Sequence, residues 1–273
     1  MGNLLRSDFI KQKKSSTFWV CIVLAFLLGI VMAALYYTVW INIGSSLQAT
    51  QALMDQMGVE KETFEEALAQ FPEPNMFEYA NACLSDTNVL YIGAVVIGVF
   101  TASEYSMGTI RNSLSRGFSR VQVYFSKLIV SAVSMLSVVA AYVFGGSLAS
   151  VIMFGFTTDT GKTKIFLVLL AYFCLFLAAT SFYMMISVIM KKTGHAIAVS
   201  IIFPILIESA LGIITMSNHD FGRISRLWLF RTFVTTESMC LNGEAYIPLL
   251  VAAFYFIICS ATGLIVFRRQ QTS

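Results

Sequence analysis

Charge is what this sequence has least of. Only 12% of its 273 residues are Asp, Glu, Lys or Arg, against roughly a quarter in an ordinary soluble domain. Histidine is scarcer, with two residues, His195 and His219. They fall at opposite faces of the expected spans, which excludes a shared metal or an acid–base couple. The five cysteines show no CxxC spacing. Cys21, Cys174 and Cys259 sit in apolar runs and read as small packing residues. Cys83 and Cys240 fall in segments expected outside, where a bridge is conceivable, although free thiols are the expected state. No Ser/His, Asp/Asp or HExxH set converges, which argues against a membrane hydrolase. Glu65-Glu66 lies in a polar loop, and Gly145-Gly146-Ser147 lacks a histidine base in any span. The run from Gly155 to Thr163 imitates a phosphate loop but has five residues between its glycines where four are needed, and no strand before it. The chain is therefore expected to bind no ATP, metal or other cofactor and to catalyse nothing itself.

What the sequence has in abundance is apolar residues, 57% of the total. They concentrate in six stretches: Phe18–Ile41, Leu84–Ala102, Leu128–Phe156, Ile165–Met190, Ala196–Met216 and Ile247–Phe267. At about 1.5 Å per residue each can cross a hydrocarbon core of about 30 Å. The expected fold is an all-α membrane protein with six transmembrane helices and a single domain over 1–273. The first stretch is too long for a signal peptide and is expected to stay in the membrane.

Orientation follows from the basic residues. With the N-terminus inside, Arg6, Lys11, Lys13, Lys14, Arg111, Arg116, Arg120, Lys127, Lys191, Lys192, Arg268 and Arg269 all lie inside, twelve of the 18. Both termini are thus expected in the cytoplasm of a multi-pass cell-membrane protein.

Two segments between spans have character of their own. In the extracellular segment 42–83, Phe64, Ala67, Leu68 and Phe71 recur at helical spacing beside Asp55, Glu60, Glu62, Glu65 and Glu66. This suggests an amphipathic helix on an acidic cap, serving as a packed lid or as a vestibule for cations. Before the last span, Phe221 to Cys240 mixes Leu227, Trp228, Phe230 and Phe233 with Arg223, Arg226 and Arg231. A re-entrant or interfacial helix suits it, with Trp228 at the headgroup level, as does an ordered loop on the bundle.

The second span ends in Glu104-Tyr105-Ser106-Met107-Gly108-Thr109-Ile110-Arg111-Asn112-Ser113-Leu114-Ser115-Arg116-Gly117-Phe118-Ser119-Arg120. Met107, Ile110, Leu114 and Phe118 form a stripe at helical spacing, with Arg111 at its edge and Arg116 opposite. Glu104 has Arg111 or Lys127 as a partner, or stands solvated. The segment resembles the E-Y-x-x-G-T-I-R-x-x-L-x-x-G-x-S-R stretch of ABC-2 type permeases, especially the bacitracin-resistance and lantibiotic-immunity subgroup. That resemblance implies a cytoplasmic coupling helix over 104–120, an interfacial connecting helix over 1–17, and a cytoplasmic ATPase partner that holds ATP and Mg²⁺. It implies a second permease, identical or related, membrane lipid around the pair, no nucleic acid, and export of an amphipathic antimicrobial peptide. Sodium, a drug or a glycan are the rival cargoes, and an intramembrane enzyme or a sensory subunit are the rival classes.

Glu208 is the one acidic residue well inside a span, four positions after Pro204. An ionisable group at that depth is a candidate for the translocation path, near a proline kink, or a carboxyl protonated or paired within the bundle.

Overall fold

The computed structural model describes residues 2–57, 76–154, 162–217, 222 and 225–269. The described residues form helices and turns with no strand, as hydrocarbon demands of a chain that must satisfy its backbone polar groups internally. In order these are α1 (Gly2–Lys14), α2 (Ser16–Met57), α3 (Met76–Ser85), α4 (Asn88–Ser106), α5 (Thr109–Ser115), α6 (Arg120–Phe154), α7 (Lys162–Met190), α8 (Thr193–Ser217), α9 (Leu229–Leu241) and α10 (Tyr246–Arg269). Six of them, α2, α4, α6, α7, α8 and α10, are long and apolar enough to cross a membrane. They correspond to the six expected stretches.

The boundaries differ from the expected ones in three places. Helix α2 does not end with its apolar run at Ile41 but continues to Met57, 42 residues in all, which is about 63 Å at the helical rise. The reason lies in Leu47 to Met57, which contains neither proline nor glycine to stop it. The second span starts at Asn88, not Leu84, because Asp86 breaks the chain. Its Oδ1 accepts the Asn88 backbone N–H at 2.9 Å and the Asn88 side-chain amide at 2.8 Å, a local bond that competes with continued helix. Helix α6 starts at Arg120, eight residues before the expected Leu128, so Lys127 lies within it. The stripe Phe64, Ala67, Leu68 and Phe71, the loop at 155–161 and His219 lie outside the described residues.

Helix α4 is central. In its most apolar stretch 67% of residues are buried, against 11% for α8, and it packs against α2, α6, α7 and α8. The two closest pairs are α2 with α6 and α7 with α10. In the first, the α2 face is small throughout: Cys21, Ala25, Gly29 and Ala33 follow at four-residue spacing, and the two alanines are fully buried. The backbones nearly touch. A methyl group on Gly29 would fall 2.3 Å from the Tyr142 carbonyl oxygen, and one on Gly145 would fall 2.3 Å from that of Phe26. Lipid supplies no hydrophobic drive between helices, so such close approach and its dispersion contacts hold the pair.

Helix α9 is short but buried along one side, with Leu229, Phe230, Phe233 and Met239 turned inward. Phe233 packs 5.0 Å from Phe176, and Phe230 packs 5.8 Å from Phe182, centroid to centroid. Trp228, just before it, meets Phe182, Phe203 and Tyr255. All three stand away from the ends of α7, α8 and α10. Helix α1 lays Leu4, Asp8 and Gln12 against α6.

Replacing Gly29 by alanine forces the α2 and α6 backbones apart, which we expect to cost about 1–3 kcal/mol as overpacking does. Thermal unfolding in detergent should show a Tm several degrees lower. Gly212→Ala on α8, with nothing within 4 Å, should leave the Tm unchanged or raise it.

Candidate functional site

The end of the bundle where α1 lies and α10 finishes holds a buried charge cluster. Glu104, in the last turn of α4, is 5% exposed, and Lys127 of α6 is 2% exposed. They form a direct ion pair. The Glu104 Oε1 also accepts from Lys11 of α1 at 3.3 Å, and Lys11 lies 3.8 Å from Asp8. Asp8 is buried in turn and accepts the Ser126 hydroxyl at 2.7 Å. The Lys127 ammonium stands 5.4 Å from the Phe100 ring centre, a cation–π distance. Two acids and two bases thus join α1, α4 and α6. Lys127, one of the partners expected for Glu104, is bonded to it. Lys11, Asp8 and Ser126 were not signalled by spacing, because charge partners on separate helices carry no sequence register.

Beyond this cluster the chain turns into α5. Gly108 adopts φ 67°, a left-handed conformation open to glycine at little cost, and it separates α4 from α5. Met107 therefore belongs to the end of α4 and points outward, 68% exposed, whereas Ile110 is 3% exposed. Leu114 and Phe118 pack with Ile110 against the core. The expected four-residue stripe is divided: Ile110 and Leu114 seat α5 on the bundle, Phe118 packs just beyond it, and Met107 projects. Arg116 is exposed, and the side chain of Arg111 lies outside the described residues. A second glycine, Gly117 at φ 86°, closes the helix. Arg120 then donates to the Arg268 carbonyl at 2.9 Å, tying the start of α6 to the end of α10.

The other two candidates lie on α8. Pro204 is buried, and the helix runs through it from Thr193 to Ser217 without interruption. Its missing N–H leaves the Ser200 carbonyl without the usual helical donor. Glu208 is partly buried and lies within electrostatic range of Arg231 on α9 and Tyr91 on α4. The structure does not bring Glu208 together with Glu104, which lies at the terminus end of the bundle.

A family model described as a protein of unknown function, DUF2705, matches residues 49–272. The chain belongs to that family. No curated protein matches it. The DUF2705 match starts inside α2, so it spans Glu104, Lys127 and the whole of α5 while Asp8 and Lys11 lie before it. This DUF2705 chain keeps Cys83 and Cys240 as buried free thiols. Burial pushes the Cys83 thiol up to about 11.

Glu104→Gln strands the Lys127 ammonium in the interior, a loss expected at about 3–5 kcal/mol. The Glu104→Gln, Lys127→Met double variant removes both charges and should recover most of the lost stability, read as Tm in a double-mutant cycle. If the two single losses simply added, the ion pair would not be the source. For Cys83 the folded thiol titrates above its ordinary value of 9.0. The stabilising difference is present below pH 9 and is lost as pH rises towards 11. Maleimide should accordingly leave Cys83 unmodified at neutral pH in the folded protein and modify it in the unfolded chain.

Proposed function

We propose that this chain is the membrane-spanning permease subunit of an ABC-2 type transporter, with ATP hydrolysis in a separate cytoplasmic subunit. One observation carries the reading: residues 104–120, whose sequence resembles the coupling segment of such permeases, form a short helix slung between two long ones. Its root is held by the Glu104–Lys127 pair, and Ile110 anchors its underside. Met107 and Arg116 face outward, an apolar and a cationic contact for a partner's groove. Displacement of α5 would pass through Gly108 and the charge cluster to α4 and α6, and α4 touches four other helices. A lever attached to the central helix can alter the whole bundle.

On this reading both termini and α5 are cytoplasmic, and α1 lies along the inner leaflet with Arg6, Lys13 and Lys14 exposed to anionic lipid. Helix α9 is then a re-entrant element, with Trp228 before it at mid-depth among Phe182, Phe203 and Tyr255, deeper than a headgroup anchor. Glu208, Arg231 and Tyr91 then lie beside the outer half of the path. A second permease completes that path, ATP and Mg²⁺ belong to the ATPase, and the cargo is an amphipathic antimicrobial peptide.

The test is purification from native membranes through a tag on this chain, followed by ATP hydrolysis with and without cationic peptides. An ATPase should accompany the wild type and respond to peptide. The Met107→Glu, Arg116→Glu double variant should lose or uncouple it with unchanged Tm, since both side chains are exposed. Ile110 is unsuitable for this purpose because its burial makes any replacement a test of packing. A well-folded chain that brings down no ATPase would sink the proposal and favour an enzymatic or sensory membrane protein.

A further inference from the structure

At the end of the bundle opposite Glu104, α2, α3 and α6 line a half-open cavity of about 310 Å³. Its walls are mostly apolar, with Met32 and Leu35 on α2. Three tyrosines line it as well, Tyr36, Tyr79 and Tyr142. The Tyr36 and Tyr79 rings meet edge to face at 5.7 Å, and the Tyr79 hydroxyl is tied back by donating to the Gly29 carbonyl at 3.3 Å. One charged group reaches the cavity, the carboxylate of Asp86. Its oxygens accept from the Tyr142 hydroxyl and from both Asn88 N–H groups. Every one of these donors is neutral. Among the residues whose side chains are described, no lysine or arginine stands within ion-pair distance of Asp86.

A pocket of about 310 Å³ is at the small end of the size range of ligand sites. Its chemistry is specific. Apolar walls take up hydrocarbon, tyrosine faces attract a cation through their quadrupoles, and a carboxylate whose hydrogen-bond donors are neutral adds negative charge. A few convergent polar groups in an apolar pocket are what small-molecule sites present. A cation is attracted to this carboxylate and an anion is repelled.

We propose that this cavity binds a lipophilic ammonium, an apolar group carrying a single positive charge. The ammonium of a free amphipathic cation and that of a phospholipid headgroup share this chemistry. The proposal stands apart from ATP coupling, since binding to the chain alone requires no ATPase.

The experiment is equilibrium dialysis of radiolabelled benzyltrimethylammonium against the full chain in nonionic detergent. Saturable binding at one site per chain is expected. Asp86→Asn should weaken it tenfold or more while keeping an oxygen acceptor for Tyr142. Leu35→Trp, at a position 54% exposed and therefore tolerant of size, should fill the cavity and weaken binding at least as much with unchanged Tm. Displacement of the probe by phosphatidylcholine but not phosphatidylglycerol identifies a lipid headgroup as the occupant, and displacement by neither identifies a free cation. Absence of saturable binding to the wild type, or equal affinity in both variants and the wild type, overturns the proposal.

Discussion

The ion pair between Glu104 and Lys127 is the constraint on which one end of the molecule turns. Taking two charges out of water costs several kcal/mol each, and attraction offsets this only if the partners are held in good geometry and further bonded. Lys11 and Phe100 complete that shell around the pair. The consequence is positional. A buried pair contributes little net stability, but any arrangement of α4 and α6 that separates it leaves a bare charge inside the bundle. The register of these two helices, the seat of α1 and the point from which α5 hangs are therefore all set by the same few atoms.

Helix α6 continues this logic along its length. Lys127 holds it by charge near the termini. In its second half Gly145 lets α2 approach at backbone distance, and Tyr142 binds Asp86 at the start of α4. These contacts differ in kind because the surroundings differ. Along apolar faces only close packing distinguishes one helix from the next, so small residues mark the crossing. At helix ends polar groups can be satisfied, and hydrogen bonds take over. The cavity beside Asp86 lies where these regimes meet, which is why it combines an apolar wall with a charge.

The six long helices, and their lack of strands, were legible from apolar runs, since only a continuous helix satisfies the backbone in hydrocarbon. Lys127 stood among the expected partners of Glu104. The stripe Met107, Ile110, Leu114 and Phe118 was misleading as a single face. Helical spacing assumes a continuous helix, and Gly108 is compatible with one until its left-handed conformation is seen. Likewise Asp86 falls inside the expected stretch Leu84–Ala102, whereas it stands between the end of one helix and the start of another.

Periodicity and composition thus determined the helical class, the number of long apolar helices and the short segment between the second and third. These properties are local: each depends on residues within a few turns of one another. Tertiary structure alone decided that Lys11 and Asp8 join Glu104, that Trp228 rests against the interior of three helices, and that Asp86 faces a tyrosine-lined cavity. Those depend on side chains of separate elements, whose meeting is set by crossing helices and leaves no mark on the order of residues.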